Sequence, residues 1–173
     1  MKFQIVKNFV DVTGLFDYFK SIEHLGDMND EQSPGCPSFY KLGILGKLQW
    51  ACIPKVEKYF GTKVFPTYNY SRIYNSKAIL ARHIDRPSCE LSVTLNLGYE
   101  GDYSWPIWIE DNEGNKLEAI LEEGDALLYH GCDCWHWREN ADERVIKQAQ
   151  AFLHYVDQSG PYSNFIFDSR PVC

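Results

Sequence analysis

The chain has 173 residues, 45% of them hydrophobic and 24% charged, with a formal net charge of -7. That length suits one well-buried domain (residues 1–173) better than two, and the acidic balance excludes general nucleic-acid binding, which needs a basic footprint. No apolar run approaches the roughly 20 residues needed to span a bilayer. Charges also interrupt the opening MKFQIVKNFVDV where a secretory signal has its apolar core, so a cytoplasmic protein without a membrane partner is expected.

Six cysteines (Cys36, Cys52, Cys89, Cys132, Cys134 and Cys173) are then expected as thiols rather than disulfides. Cys132 and Cys134 are too closely spaced for a common zinc knuckle, and no second pair accompanies them. The aromatic share of 15% favours pleated, half-buried surfaces.

In chain order, residues 10–23 place Leu15, Phe16, Phe19 and Ile22 on one stripe, the pattern of an amphipathic helix. Residues 25–38 are acidic, carry Gly and Pro, and read as an exposed loop that serves as a lid or substrate rim. A second helix is expected over 44–60, broken or bent at Pro54 and capped by Gly61. From residue 64 the period changes to two. Residues 66–74 form a Tyr-rich strand with Tyr70, Arg72 and Tyr74 on one side. In 90–97, Leu91, Val93, Leu95 and Leu97 alternate with Ser92, Thr94 and Asn96, setting an apolar face against a polar one. Short strands follow at 104–110 (an edge position, given Pro106), 116–121, 125–130 and 147–156, with turn chemistry at 111–115 and 122–125. The fold expected is α+β, mainly β. It is a double-sheet roll of the double-stranded β-helix (jelly roll) type, with N-terminal helices packed on one face. The helical part covers 1–62, the roll 63–157 and a tail 158–173.

His83 and Asp85 are two residues apart, so an extended backbone projects both to one side. A distant histidine, His130 or His136, can complete the set once a sheet folds it back. Two imidazoles and one carboxylate on one face of an octahedral ion leave three positions open, the arrangement of non-haem ferrous oxygenases. The triplet alone is weak, because short motifs match by chance.

The wider sequence around these residues carries a resemblance. YNYSRIYNSKAILARHIDRPSCELSVTLNL, GDALLYHGCDCWHWRE and FLHYVD together resemble the core of the 2-oxoglutarate- and Fe(II)-dependent dioxygenases. The prolyl-hydroxylase-like branch is the most similar. The resemblance covers about residues 66–157. It implies His83, Asp85 and His136 as catalytic metal ligands, with Fe(II), 2-oxoglutarate and O2 as cofactor and cosubstrates. It also implies hydroxylation of a small-molecule or peptide substrate, of peptidyl-prolyl or amino-acid type by analogy, with release of succinate and CO2. Tyr74 matches a position that donates its hydroxyl to the cosubstrate, and Tyr70 and Asn96 are further candidates. The family's anchor for the distal carboxylate is a cation on the closing strand. Here the pocket-facing position falls on Gln148. Arg138, two residues after His136 and able to grip a carboxylate with both nitrogens, is the substitute, with Lys147 and Arg144 as alternatives. Arg86 is a candidate for anchoring an acidic group of the substrate, and His154 for lining the pocket. A cupin-like metal-binding roll without 2-oxoglutarate chemistry, and a non-catalytic binding module, remain as rival readings.

Overall fold

The structure, a computed structural model, describes residues 2–168. It is mainly β, with two antiparallel sheets and two helices. The strands are β1 (Phe3–Val6), β2 (Ser38–Tyr40), β3 (Val64–Tyr74), β4 (Leu80–His83), β5 (Leu91–Glu100), β6 (Ile107–Glu110), β7 (Lys116–Ala119), β8 (Ala126–His130), β9 (Trp135–Arg138) and β10 (Lys147–Asp157). The helices are α1 (Leu15–Ile22) and α2 (Gly43–Phe60). The major sheet has the order β1-β8-β5-β10-β3-β2 and the minor sheet β4-β9-β6-β7. The long β3 and β10 pair along most of their length, with Gln150 opposite Arg72 and Phe152 opposite Tyr70.

Alternation decides the two faces of the major sheet. Val93, Leu95 and Leu97 of β5, Leu128 of β8, and Ala149, Ala151 and Leu153 of β10 point one way, onto Phe19 of α1 and Leu45 and Val56 of α2. Burying each large aliphatic or aromatic side chain there contributes roughly 1.5–3 kcal/mol. The other face meets the minor sheet. At one end Phe3, Leu127 and Tyr129 pack against Ile107, Ile109 and Ala119. Along β3, β5 and β10 that same face turns polar and aromatic, and there the sheets enclose a cavity of about 430 Å³.

Several expectations need correction. The first residues are not part of a helical region, since β1 pairs with β8 at the edge of the major sheet. The helix expected from residue 10 begins only at Leu15, because Gly14 takes the left-handed backbone (φ 78°). Helix α2 runs unbroken through Pro54 and ends at Gly61 in the left-handed region. Pro54 has no N–H to give the Trp50 carbonyl one turn back, and Trp50 lies on the exposed face of the helix. In 104–110 only Ile107–Glu110 is strand. Ahead of it, the Trp105 N–H is taken by the Gln148 side chain at 2.7 Å. Residues 38–40 form an edge strand at the end of the expected loop. The tail contains a 3-10 segment, Ser163–Asp168, interrupted by non-helical backbone at Ile166 and Phe167, and ties back to the roll where Tyr40 donates to Asp168 at 2.5 Å. Five cysteines are free thiols; Cys173 and the end of the tail lie outside the described residues.

Candidate metal centre

Strand β4 ends at His83, and β9 pairs with it so that His83 lies directly opposite His136. Asp85 follows just beyond the strand, its N–H bonded to the Gly131 carbonyl at 2.9 Å. One ligand atom from each of His83, Asp85 and His136 falls within 4.8 Å of the others. His130 is not in this group; its ring packs edge-on against Phe60 at 5.2 Å.

The hydrogen bonds behind the imidazoles orient them. Nδ1 of His83 bonds the Ala81 carbonyl at 2.7 Å and Nδ1 of His136 the Cys134 carbonyl at 3.1 Å. Each Nδ1 therefore carries the proton and each Nε2 lone pair is left for a metal, the usual outer-shell device of histidine ligands. The Nε2 of His136 lies 3.6 Å from an Asp85 carboxylate oxygen, wider than the roughly 3.0 Å between adjacent ligands of an octahedral ion with bonds of about 2.1 Å, so an ion would draw the two together. Burial pushes His136 down to about 4. Burial, aided by the neighbouring His136, also lowers His83. Both rings are thus neutral near pH 7, the form that binds a metal. Burial raises Asp85, against the pull of His154, His83 and a 3.0 Å hydrogen bond from Ser92. The donor set fits a first-row divalent ion with open positions toward the cavity. A second group, Asp85, Cys89 and His154, also lies within 4.8 Å. Its members already have partners, since Ser92 joins His154 to Asp85 and Cys89 contacts the Tyr68 hydroxyl at 3.0 Å.

Gly131 is a structural requirement of this corner. A Cβ there would lie 2.1 Å from the Cys89 carbonyl and 2.6 Å from an Asp85 carboxylate oxygen, so only glycine lets the turn after β8 press against the Asp85 loop. The sequence signal for it was a glycine directly after a strand in the HGCDC segment.

The far end of the cavity is cationic. Arg72, 1% exposed, lines the cavity with Tyr70 and Tyr74. It donates to Tyr74 at 3.3 Å and to Asp30 at 2.5 Å. Its Nε is buried without a partner. Burial opposes its charge, but Tyr74, Asp30 and Tyr70 together hold its pKa above the ordinary value. Arg138 lies behind it, outside the cavity wall. Its guanidinium donates to the Trp105 carbonyl and, at 2.9 Å, to Gln150, and it rests on the Tyr74 ring at 5.3 Å. Its Nε too is buried without a partner, and burial lowers it to about 10. Among the described residues no carboxylate lies within ion-pair distance of Arg138. Two buried guanidiniums on either side of Tyr74 are therefore served by one carboxylate, Asp30, an excess of positive charge that favours an incoming anion.

The remaining sequence candidates fall elsewhere. Lys147 points to the helix side and pairs with Glu23 at 2.6 Å. Arg144 pairs with Asp142 at 2.7 Å. Asn96 holds the Leu121 carbonyl and the Gly98 N–H, away from the cavity. Gln148 is spent on Trp105. Tyr70, Tyr74, Thr94 and His154 do line the cavity. Arg86 lines it too, paired with Asp168 at 2.8 Å. Sequence reasoning missed Arg72 as the cation facing the cavity, and Asp30 and Gln32 as the loop residues that reach into it.

The buried histidines set an acid limit. His136 and His154 are both pushed down to about 4 by burial, whereas unfolded they take a proton near 6.5. Between those values the unfolded chain binds more protons, so stability present above pH 6.5 is lost as pH falls toward 4. The loss is on the order of 3 kcal/mol per histidine. Protonation of Asp85, whose pKa is raised, offsets part of it. The urea midpoint of the metal-free protein is expected to drop between pH 7 and pH 4.5, and to drop less in His154→Gln. A midpoint that holds or rises on acidification contradicts this.

No family profile and no curated protein matches the sequence, but solved structures do. A Pseudomonas putida prolyl-4-hydroxylase superposes with a TM-score of 0.70 at 11% identity, over 90% of this chain and 92% of that one. A prolyl hydroxylase from Trichoplax adhaerens, solved with a hypoxia inducible factor peptide fragment, gives 0.71 at 15%, over 91% and 84%. HygX from Streptomyces hygroscopicus, solved with nickel and 2-oxoglutarate bound, gives 0.68 at 11%, over 91% and 84%. The chain thus shares the fold of 2-oxoglutarate- and Fe(II)-dependent oxygenases, prolyl-4-hydroxylases among them.

Proposed function

We propose that this chain is an Fe(II)- and 2-oxoglutarate-dependent oxygenase, one double-stranded β-helix domain that hydroxylates a small-molecule or peptide substrate. The observation that carries the reading is a single cavity with two distinct ends. One end has two neutral imidazoles and a carboxylate converging, and the other has a buried guanidinium with unmet bonding capacity. A 2-oxo acid with a second carboxylate matches both ends at once. One Gln32 side-chain amide already spans them, with Nε2 3.0 Å from Nε2 of His83 and Oε1 3.3 Å from Arg72.

In this reading His83, Asp85 and His136 hold Fe(II), which when bound supplies O2 activation coupled to oxidative decarboxylation of 2-oxoglutarate to succinate and CO2. Arg72 grips the distal carboxylate and Tyr74 donates its hydroxyl beside it. Arg138 acts from behind Tyr74 by its charge, so the anchoring role that the closing strand leaves vacant at Gln148 passes to β3. The walls formed by Leu80, Ile107, Tyr129 and Phe152 keep bulk water from the reacting atoms and strengthen each polar contact inside. Ser92 holds the Asp85 carboxylate in orientation. The fold hosts many chemistries, so the substrate is not transferred from its neighbours.

The test is anaerobic addition of 2-oxoglutarate to the Fe(II)-loaded protein. A weak visible charge-transfer band is expected, and admission of O2 should then release succinate in step with O2 uptake. Stoichiometric metal with neither band nor succinate would instead support a cupin-like metal roll; no metal at all would support a binding module.

A further inference from the structure

The loop between α1 and β2 plugs the cavity with its own carboxylate. Asp30 accepts hydrogen bonds from the Tyr70 hydroxyl and from Arg72. Two residues on, Gln32 reaches the metal-facing nitrogen of His83. The turn is preset: the Gln32 N–H bonds the other Asp30 oxygen at 2.8 Å and the Ser33 N–H bonds the Asp30 carbonyl at 3.2 Å. Nothing apolar holds this tip down, since Asp27, Met28, Asn29, Glu31 and Gln32 are all exposed. Asp27 is fixed by a two-way backbone bridge to Ser38 of β2, and the Gly35 N–H bonds the Met28 carbonyl across the loop. Beyond that hinge, the ties of residues 28–32 to the roll are the polar contacts at Tyr70, Arg72 and His83. A segment secured in this way opens at small cost.

We propose that Asp30 is a built-in competitor for the cosubstrate's distal carboxylate, so that 2-oxoglutarate binds only as residues 28–32 swing out of the cavity. The proposal rests on the oxygenase reading above. Asp30 presents the chemical group that the ligand would present, to the same Arg72. Two carboxylates crowded onto one guanidinium repel each other. The ligand must therefore displace the loop, and the closed form raises the apparent Kd by the inverse of the open fraction. Gln32 bonds the His83 Nε2 lone pair that a metal takes, so metal loading itself removes this tie and leaves Asp30 as the contact that the cosubstrate must displace.

The experiment is calorimetric titration of 2-oxoglutarate into Mn(II)-loaded wild type and Asp30→Asn, with hydrogen exchange of residues 26–37 followed in parallel. Asparagine keeps the bond to the Gln32 N–H but removes the charge. The variant is expected to bind 2-oxoglutarate about tenfold more tightly, which corresponds to an open fraction near one tenth in the wild type. Exchange of the wild-type loop is expected to rise on adding 2-oxoglutarate, and that of the variant to be high already. Equal or weaker 2-oxoglutarate binding by Asp30→Asn, with Mn(II) binding intact, overturns the competition alone and makes Asp30 a strut for Arg72. Mn(II) binding without 2-oxoglutarate binding in either protein overturns both this proposal and the reading beneath it. If the variant does not fold, the wild-type exchange decides, and a loop equally or better protected with 2-oxoglutarate bound overturns the competition.

Discussion

His136→Ala is expected to abolish stoichiometric divalent-metal binding and to bring succinate release down to the level seen without protein. The ring is 3% exposed, its Nδ1 is held by a backbone carbonyl, and its Nε2 faces Asp85. Its loss leaves only His83 and Asp85 of the three converging donors. Loss of an outer-shell partner costs a metal site about 10–100-fold in affinity, and loss of a direct ligand should exceed that. His83→Ala is expected to act in the same direction, less completely, because His83 ends a strand at the rim and its position is open to a water ligand. His130→Ala is the control. It removes the same type of side chain six residues earlier, but His130 belongs to the contact with Phe60, so metal content should stay at the wild-type value. Equilibrium dialysis against Fe(II) or Mn(II) followed by metal analysis decides the matter. Wild-type stoichiometry in His136→Ala, or loss of metal in His130→Ala, would reassign the centre.

The metal end of the cavity is legible in the sequence because short-range geometry carries most of it. The HxD spacing puts two donors on one side of an extended segment, and the strand that carries His136, β9, needs only antiparallel pairing with β4 to meet them. The parity of β10 is equally readable. Ala149, Ala151 and Leu153 face the helices, so Lys147 shares their side and cannot face the cavity, whereas Gln148 and Gln150 do face inward. What the sequence withholds depends on how the two sheets stack. Arg72 and Arg138 both sit at inward parity, and only the packing of Trp105 and Tyr74 between the sheets places one in the cavity wall and the other behind it. The role of Gly131 likewise depends on a contact across 46 residues, since its carbonyl receives the Asp85 N–H from the far side of the sheet. Asp30 and Gln32 lie in a stretch whose composition predicts only an exposed loop; no periodicity announces that two of its side chains turn inward.

The second large effect separates the two arginines. Arg72→Met is expected to weaken 2-oxoglutarate binding at least about thirtyfold, since truncating one partner of a buried, hydrogen-bonded charge pair costs roughly 2–5 kcal/mol and each 1.4 kcal/mol is a tenfold change. Metal stoichiometry should be retained, because Arg72 touches none of the three ligands directly. The same change releases Asp30 and Tyr70 from their partner, so hydrogen exchange in residues 28–32 should rise in the free protein. Arg138→Met is expected to behave differently. Its guanidinium serves the Trp105 carbonyl and Gln150, so its loss orphans the Gln150 acceptor at roughly 1–3 kcal/mol and leaves the Trp105 carbonyl only the 3.4 Å bond from Gln148, and the thermal midpoint falls. Its contribution to the anion is charge at a distance through the Tyr74 layer, and the Kd for 2-oxoglutarate should change less than about tenfold, which is under 1.4 kcal/mol. Calorimetry on the two Mn(II)-loaded variants, read against their melting curves, tests the assignment. If Arg138→Met loses the cosubstrate while Arg72→Met keeps it, the anchor lies behind Tyr74, and that ring must then move aside for the carboxylate to reach it.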